Sequence, residues 1–432
     1  MSWSHEDAVA WLRRHVNHES LASGRPAADD SGPSLDRMRE LCRLLGDPQL
    51  VAPVVHVTGT NGKGSVARMV TALVGAHNLT VGTYTSPDLG LVDERLSRNL
   101  ETIDAGEFAA QAEAVAAVEA LLDGPPTYFE LLEAMAFRWF ADVAVDAAVI
   151  EVGMGGRWDG TNVVDASVAV VTNVALDHVE VIGPTRAHIA REKAGIVKPG
   201  STLVLGETDP ALLPIFEEEP AAALWLRERD FGCESNRVAV GGRLLDLRTP
   251  GAEHRDVFLS LHGAHQGENA AVALAATEAF FGRPLDDDLV REALGAVTVP
   301  GRFEVVARNP LVVLDGAHNP HGARAVAATL DDFGVAGERI LVVGVMRTHD
   351  PLEILEALDV GKARLVVATA ADWPRALPAE EVAAAARRLG VEVDVVPRVA
   401  DALDRARSLA APEDLVLVTG SLYVVGEARR KR

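Results

Sequence analysis

Residues 53–76 constrain this chain more than any other stretch. An apolar run, PVVHV, reads as a short buried strand; TGTNGKGS breaks it, and Val66 to Ala76 continues as a helix. Strand, glycine loop and helix in that order suit a phosphate cradle. The glycines let backbone N–H groups turn inward, and the helix adds its positive N-terminus. Lys63 would place a point charge on the outer phosphates, and Ser65 offers a hydroxyl to Mg2+. Asn61, Gly62 and Gly64 would supply the backbone around them. The common pattern G-x-x-x-x-G-K-[ST] is not met: position 57 is Val, Gly64 follows the lysine, and the hydroxyl comes one residue later. A glycine turn with a solvated lysine is the alternative.

The rest of the chain repeats the same alternation. Ser4 can cap a helix from about His5 to Val16. Residues 18–34 are small, polar and marked by Gly and Pro, and read as a mobile loop. A helix from about Leu35 to Leu45 follows. Strand-length apolar runs lie at 81–85, 147–152, 167–172 and 202–205. Asp104 caps one helix, and Thr127 to Ala144 forms another, with Phe129, Leu132, Ala136 and Phe140 on one stripe. This is the pattern of parallel βαβ units. Residues 210–262 change character and read as a small antiparallel excursion. Helices near 266–281 and 286–296 lead to a linker at Val299-Pro300-Gly301. Strands near 311–314, 339–345, 363–368, 391–396 and 415–418 then rebuild an open, doubly wound sheet. The expected fold class is α/β in two domains: residues 1–298 around the phosphate loop, and residues 299–432 as a Rossmann-like unit.

Composition narrows the partners. The 432 residues include 63 Asp+Glu against 41 Lys+Arg, a net charge of -22. That argues against generic binding to nucleic acid or to an anionic membrane, while one basic pocket still suits an anionic small molecule. Two cysteines, Cys42 and Cys233, give neither a disulfide framework nor a four-thiolate zinc site. The first residues lack the apolar core of a signal peptide. No run reaches the roughly 18–20 apolar residues of a membrane span. The expectation is a cytoplasmic protein with reduced thiols.

From the loop onward the sequence resembles a known family. HVTGTNGKGSVARMV (56–70), IEVGMGGRWDGTNVVD (150–165), the EKAGI of 192–196, LHGAHQGENAAVA (261–273), LDGAHNPHGA (314–323) and VTGSLYVVGEAR (418–429) occur in one order. Together they resemble the folylpolyglutamate synthase / dihydrofolate synthase branch of the Mur ligase superfamily. The resemblance implies a P-loop ATPase domain of Mur ligase central type and a C-terminal Rossmann-like glutamate ligase domain, with the site between them. It implies an ATP- and Mg2+-dependent ligase. A carboxylate of a reduced folate, or of dihydropteroate, takes the γ-phosphoryl of ATP to give an acyl phosphate, and the amine of L-glutamate displaces phosphate.

The same resemblance assigns roles. Ser86, Glu151 and His178 would ligate magnesium. Asn269, Arg302 and Asp315 would contact ATP. Thr127 and Trp158-Asp159-Gly160 would contact dihydropteroate, with help from a segment near Ser34 to Arg37. Lys193 would be carbamylated and needed for catalysis beside Lys63 and His178. Each has an ordinary reading. Glu151 ends an apolar strand where open α/β sheets place their sites, but could face water. His178 is not a ligand type that Mg2+ prefers. Arg302 could be a hinge surface charge, and Asp315 a helix cap. Lys193 reads as a helix-surface lysine. At its unperturbed pKa about one amine in 2,500 is neutral at pH 7, so burial or a nearby cation such as Arg191 must favour the reactive form.

Two segments depart from the family. Asp88 stands in TSPDL where His is usual, and GVMRTHD (344–350) replaces a segment that often reads G-x-L-x-D-K-D, only Asp350 matching. These departures bear on acceptor and glutamate preference. Bifunctionality is the expectation, with a monofunctional folylpolyglutamate synthase as the nearest alternative. Another Mur-type amide ligase and a non-ligase P-loop NTPase are more distant ones. A monomer is expected.

Overall fold

The computed structural model describes residues 2–17, 34–334 and 337–430. The loop expected at 18–34 lies almost wholly outside the described residues. The first sheet is built from β1 (Val54–Thr58), β2 (Val81–Tyr84), β3 (Leu96–Arg98), β4 (Glu101–Thr102), β5 (Ala147–Glu151), β6 (Ala166–Val171), β7 (Thr202–Leu205) and β8 (Ala223–Leu226). Its order is β4-β3-β2-β5-β1-β6-β7-β8. β2, β5, β1, β6, β7 and β8 run parallel, and β3 and β4 add an antiparallel edge.

β1 and β5 are buried along their whole length, as strands covered on both faces must be. One face packs against the helices Lys63–Gly75 and His265–Phe281 through Val66, Val70, Leu73, Ala271 and Leu274. The other packs against the helices Tyr128–Asp142 and Ala105–Glu119 through Leu132, Ala136, Phe140 and Phe108. The first helix, His5–Leu12, stops a turn short of the expected Val16.

Residues 232–259 form a separate antiparallel sheet, β9 (Gly232–Ala239), β10 (Gly242–Arg248) and β11 (Glu253–Leu259). The excursion is thus shorter than expected, because residues 223–226 extend the main parallel sheet beside β7. Leu245, Leu247, Val257 and Leu259 bury this sheet against the core of the first.

After the linker, β12 (Glu304–Arg308), β13 (Leu311–Leu314), β14 (Arg339–Val343), β15 (Leu365–Ala370), β16 (Val393–Arg398) and β17 (Leu415–Thr419) form a second sheet, ordered β12-β13-β17-β14-β15-β16. β12 pairs antiparallel with β13, and the other pairs are parallel. Helices cover both faces around two apolar cores.

The two sheets are joined by more than the linker. Arg68, on the helix after the phosphate loop, donates to the Thr298 carbonyl at 2.7 Å. The C-terminal helix Leu422–Arg430 packs Gly426 so closely on the segment after Ser86 that a Cβ would overlap the Leu89 carbonyl oxygen. Arg429 on that helix reaches Glu94 at 3.6 Å and Glu304 at 3.4 Å.

Candidate active site

The C-terminal ends of β1, β5 and β6 open toward the C-terminal ends of β13 and β17, and a cleft lies between them. Its first wall is the phosphate loop. Gly62 takes φ +84° at the N-cap, a left-handed turn that suits glycine and lets the helix begin at Lys63, three residues earlier than the sequence pattern placed it. Asn61 N–H donates to Asn173 Oδ1, and the Asn61 carbonyl accepts from Thr172 Oγ1 and Asn173 Nδ2. These bonds fasten the loop to the end of β6. Lys63 Nζ donates to the Gly59 carbonyl at 3.1 Å, curling over the loop it would share with phosphate. Ser65 is buried; Gln266 Nε2 approaches its hydroxyl at 3.5 Å, and Gln266 Oε1 accepts in turn from Asn269 Nδ2 at 3.0 Å.

Glu151 ends β5 and is buried. A Cβ at Gly64 would sit 3.4 Å from its Oε2, so the carboxylate faces the loop. It accepts a hydrogen bond from Ser86 N–H at 3.2 Å, and burial raises its pKa against the pull of Lys63. Such an acid has room for a cation. His178 sits at φ +50° before the short helix Val179–Ile182, its Nε2 4.0 Å from Asp177 Oδ1. Enclosure in the cleft lowers its pKa, which favours the neutral imidazole a metal requires.

Among the described residues no three His, Cys, Asp or Glu side chains converge into a metal cage. Ser86, Glu151 and His178 nevertheless line one cleft with Ser65. This open donor set fits Mg2+, which keeps waters and phosphate oxygens in its shell.

Lys193 lies on the helix Arg186–Ala194 and is 4% exposed, so the surface reading is overturned. Its amine lines the cleft and its pKa falls to about 7. Burial is the main cause and Lys63 the second; Arg191, the cation the sequence suggested, is not among the causes.

The opposite wall belongs to the second sheet. Arg302 and Asp315 both line the cleft. Asp315 accepts from Phe303 N–H and Ala317 N–H at 2.8 Å each. It does not cap the next helix; Asn319 does, accepting from Gly322 N–H. Burial raises the Asp315 pKa, and Arg302 opposes it. Asn319 Nδ2 also donates to Asn61 Oδ1 at 3.0 Å and to Asp177 Oδ2 at 3.1 Å. Asn61 Nδ2 meets His321 Nδ1 at 3.1 Å. The sequence reading gave no role to Asp177, His318, Asn319 or His321. The motif DGAHNPHGA held three of them in view, and only the contact across the cleft gives them a place.

The residues expected at the pteridine do not line this cleft, although Asp159 sits directly behind its Gly153–Met154 wall. Thr127 caps the helix Tyr128–Asp142 in a reciprocal pair with Glu130, and Glu130 also receives Arg37 Nε at 3.0 Å. Arg37 thereby joins the Thr127 end of that helix. Asp159 accepts from Met154 N–H and from the Thr161 N–H and hydroxyl. Trp158 is 41% exposed, and Gly160 begins a short 3-10 turn packed against the helix Tyr128–Asp142.

The departures have local explanations. Asp88 pairs at 2.8 Å with Arg95, which is 2% exposed and lies over the Tyr128 and Phe129 rings. Asp350 caps the helix Pro351–Ala357, and the His349 ring packs 5.7 Å from that of His318.

The Mur ligase middle domain matches residues 57–277, and the Mur ligase glutamate ligase domain matches residues 301–422. The Mycobacterium tuberculosis dihydrofolate synthase/folylpolyglutamate synthase is 41% identical over 92% of this chain and 89% of its own length. A solved structure of M. tuberculosis folylpolyglutamate synthase with ADP superposes with a TM-score of 0.90 at 40% identity, covering 98% of both chains. The Escherichia coli FolC structure with DHPP and ADP gives 0.85 at 30% identity, covering 98% of this chain and 97% of that one. The chain therefore belongs to the dihydrofolate synthase/folylpolyglutamate synthase family of Mur ligases.

Proposed function

We propose that this protein adds L-glutamate to folates at the expense of ATP, and that it accepts dihydropteroate as well as reduced folates. The observation that carries this reading is the convergence of Lys63, Glu151 and Lys193 on one wall of a cleft with Arg302 and Asp315 on the other. The acceptor carboxylate attacks the γ-phosphoryl group, the bond to ADP breaks, and an acyl phosphate forms. The amine of L-glutamate then attacks the acyl carbon and phosphate leaves.

An anion attacking a triphosphate meets like charge. Lys63 and the loop N–H groups offset it from one side and Arg302 from the other. Ser86, Glu151 and His178 would hold Mg2+, which would supply further charge neutralisation. Asn269 and Asp315 hold the nucleotide. The depressed pKa of Lys193 leaves a large neutral fraction near pH 7. The neutral nitrogen bonds to the carbon of CO2 and gives up one proton to solvent, so a neutral amine becomes an anionic carbamate in the cleft. Thr127, Trp158, Asp159 and Gly160 belong to the pteridine end.

Residues 1–298 and 299–432 are the two working units, closing as a cytoplasmic monomer. The acidic surface suits small-molecule partners, not nucleic acid or membrane. Among the described residues no helix is long and apolar enough to cross a membrane.

One assay tests the reading. ADP release is followed with L-glutamate and either dihydropteroate or a reduced folate monoglutamate. Turnover with both is expected. Turnover with the folate alone would make the enzyme monofunctional, and turnover with neither would overturn the assignment.

A further inference from the structure

The helix Tyr128–Asp142 carries an acid that the reaction above does not use. Glu133 is 3% exposed, and its Oε2 is buried without a hydrogen-bond partner. Burial holds its pKa well above the ordinary carboxylate range, Asp159 and Glu130 push it higher, and Arg95 opposes them. A buried acid without donors is costly. Its acidic neighbours offer no relief. Asp159 is already engaged with Met154 and Thr161, and Glu130 with Thr127 and Arg37.

The Glu133 carboxyl ends against Gly160, where a Cβ would overlap Oε2. Only glycine at 160 leaves space for it. Two residues earlier Trp158 exposes its indole, the most exposed aromatic among the large hydrophobics at the surface. This corner therefore offers a flat aromatic face and an unsatisfied acceptor.

A pteridine supplies what is missing. Its 2-amino-4-oxopyrimidine edge presents N3–H and the 2-amino group side by side, the spacing that one carboxylate accepts as a pair. Its ring face is suited to stacking on an indole. We propose that Glu133 is a specificity-determining residue that accepts hydrogen bonds from the N3–H and 2-amino group of the folate pteridine, over the Trp158–Gly160 segment. This rests on the folate reading above and names the group that reads the ring.

The test is equilibrium binding, which needs no turnover. Dihydropteroate and its 2-desamino analogue are titrated into the full chain with ADP and Mg2+, using wild type and Glu133→Gln. Wild type should bind dihydropteroate at least tenfold more tightly than the analogue. Glu133→Gln should lose most of that preference, weakening dihydropteroate about tenfold while binding the analogue as wild type does. The KM values for ATP and L-glutamate should not move. Equal weakening of both ligands, or an unchanged preference, would overturn the proposal. If wild type binds neither ligand, the folate reading itself fails. Should Glu133→Gln not fold, Gly160→Ala carries the test, because the added methyl displaces the carboxyl and should erase the same preference.

Discussion

The phosphate-loop half of the molecule and the pteridine half treat their polar groups in opposite ways. Around the loop, side chains are held close but left free to act. Glu151 accepts from Ser86 N–H, Lys193 is buried against the cleft, and Lys63 donates to a carbonyl of its own loop. Around Thr127 and Asp159 the side chains satisfy one another through a capping box and a loop anchor, and Glu133 beside them is the exception. The first region spends folding stability on unsatisfied charge, and the second uses the same residue types as scaffold. A residue named for a site by its position can therefore be a contact in one half and a support in the other.

The largest effect that would break this contrast is at the loop. Lys63→Ala should lower kcat by at least about a hundredfold, the usual cost of losing one group that stabilises charge on the transferring atoms. Its melting temperature should stay near that of wild type. Near-normal turnover would place Lys63 among the supports.

Lys193 comes next. Lys193→Ala should lose about 10–100-fold in activity, as is usual when a group organising a metal site is removed. Added small carboxylic acids should restore part of it. The sign of its pH effect follows from the lowered pKa. In the folded apoprotein the amine titrates at about 7 instead of 10.5, so the cost of burying its charge is fully present below pH 7. That cost fades as pH rises through the interval from 7 to 10.5. Thermal melts of metal-free Lys193→Met should show stabilisation over wild type at pH 6 that disappears above pH 10. Stabilisation at every pH would mean that packing, not charge, is at work.

The smallest effect should come from the other half. Thr127→Ala removes a helix cap, worth about 1 kcal/mol. Its melting point should fall by a few degrees, while the KM for dihydropteroate changes less than threefold. A selective rise in that KM would show Thr127 to be a contact and erase the difference between the two regions.

Much of the nucleotide half was legible in the sequence because glycine geometry and strand-end placement are local properties. PVVHV followed by GTNGKGS needs no tertiary information to suggest a strand, a turn and a helix N-terminus. Glu151 was visible for a similar reason, at the end of AAVI. Lys193 was visible only through the family resemblance, since REKAG looks like any charged helix turn until neighbouring segments close over it. β12 also escaped, because Glu304–Arg308 is a short, half-buried edge strand with charged ends, and its pairing with β13 defines it. Glu133 lies among the apolar residues of LLEAMAF and reads as the polar face of an amphipathic helix. Only its juxtaposition with Gly160 sets it apart.

The contact between Gly426 and the Leu89 carbonyl has a mechanical meaning. It meets backbone with backbone, three residues past Ser86 on one side and in the C-terminal helix on the other. A side-chain bumper can swing to another rotamer; this one cannot. It acts as a hard stop that calibrates how near the two walls come, and with them the nucleophile and the group it attacks. Misplacement by about an ångström is enough to cost a hundredfold in rate. The gauge is cut into the main chain, so its accuracy survives surface drift and depends on a single missing methyl group at position 426.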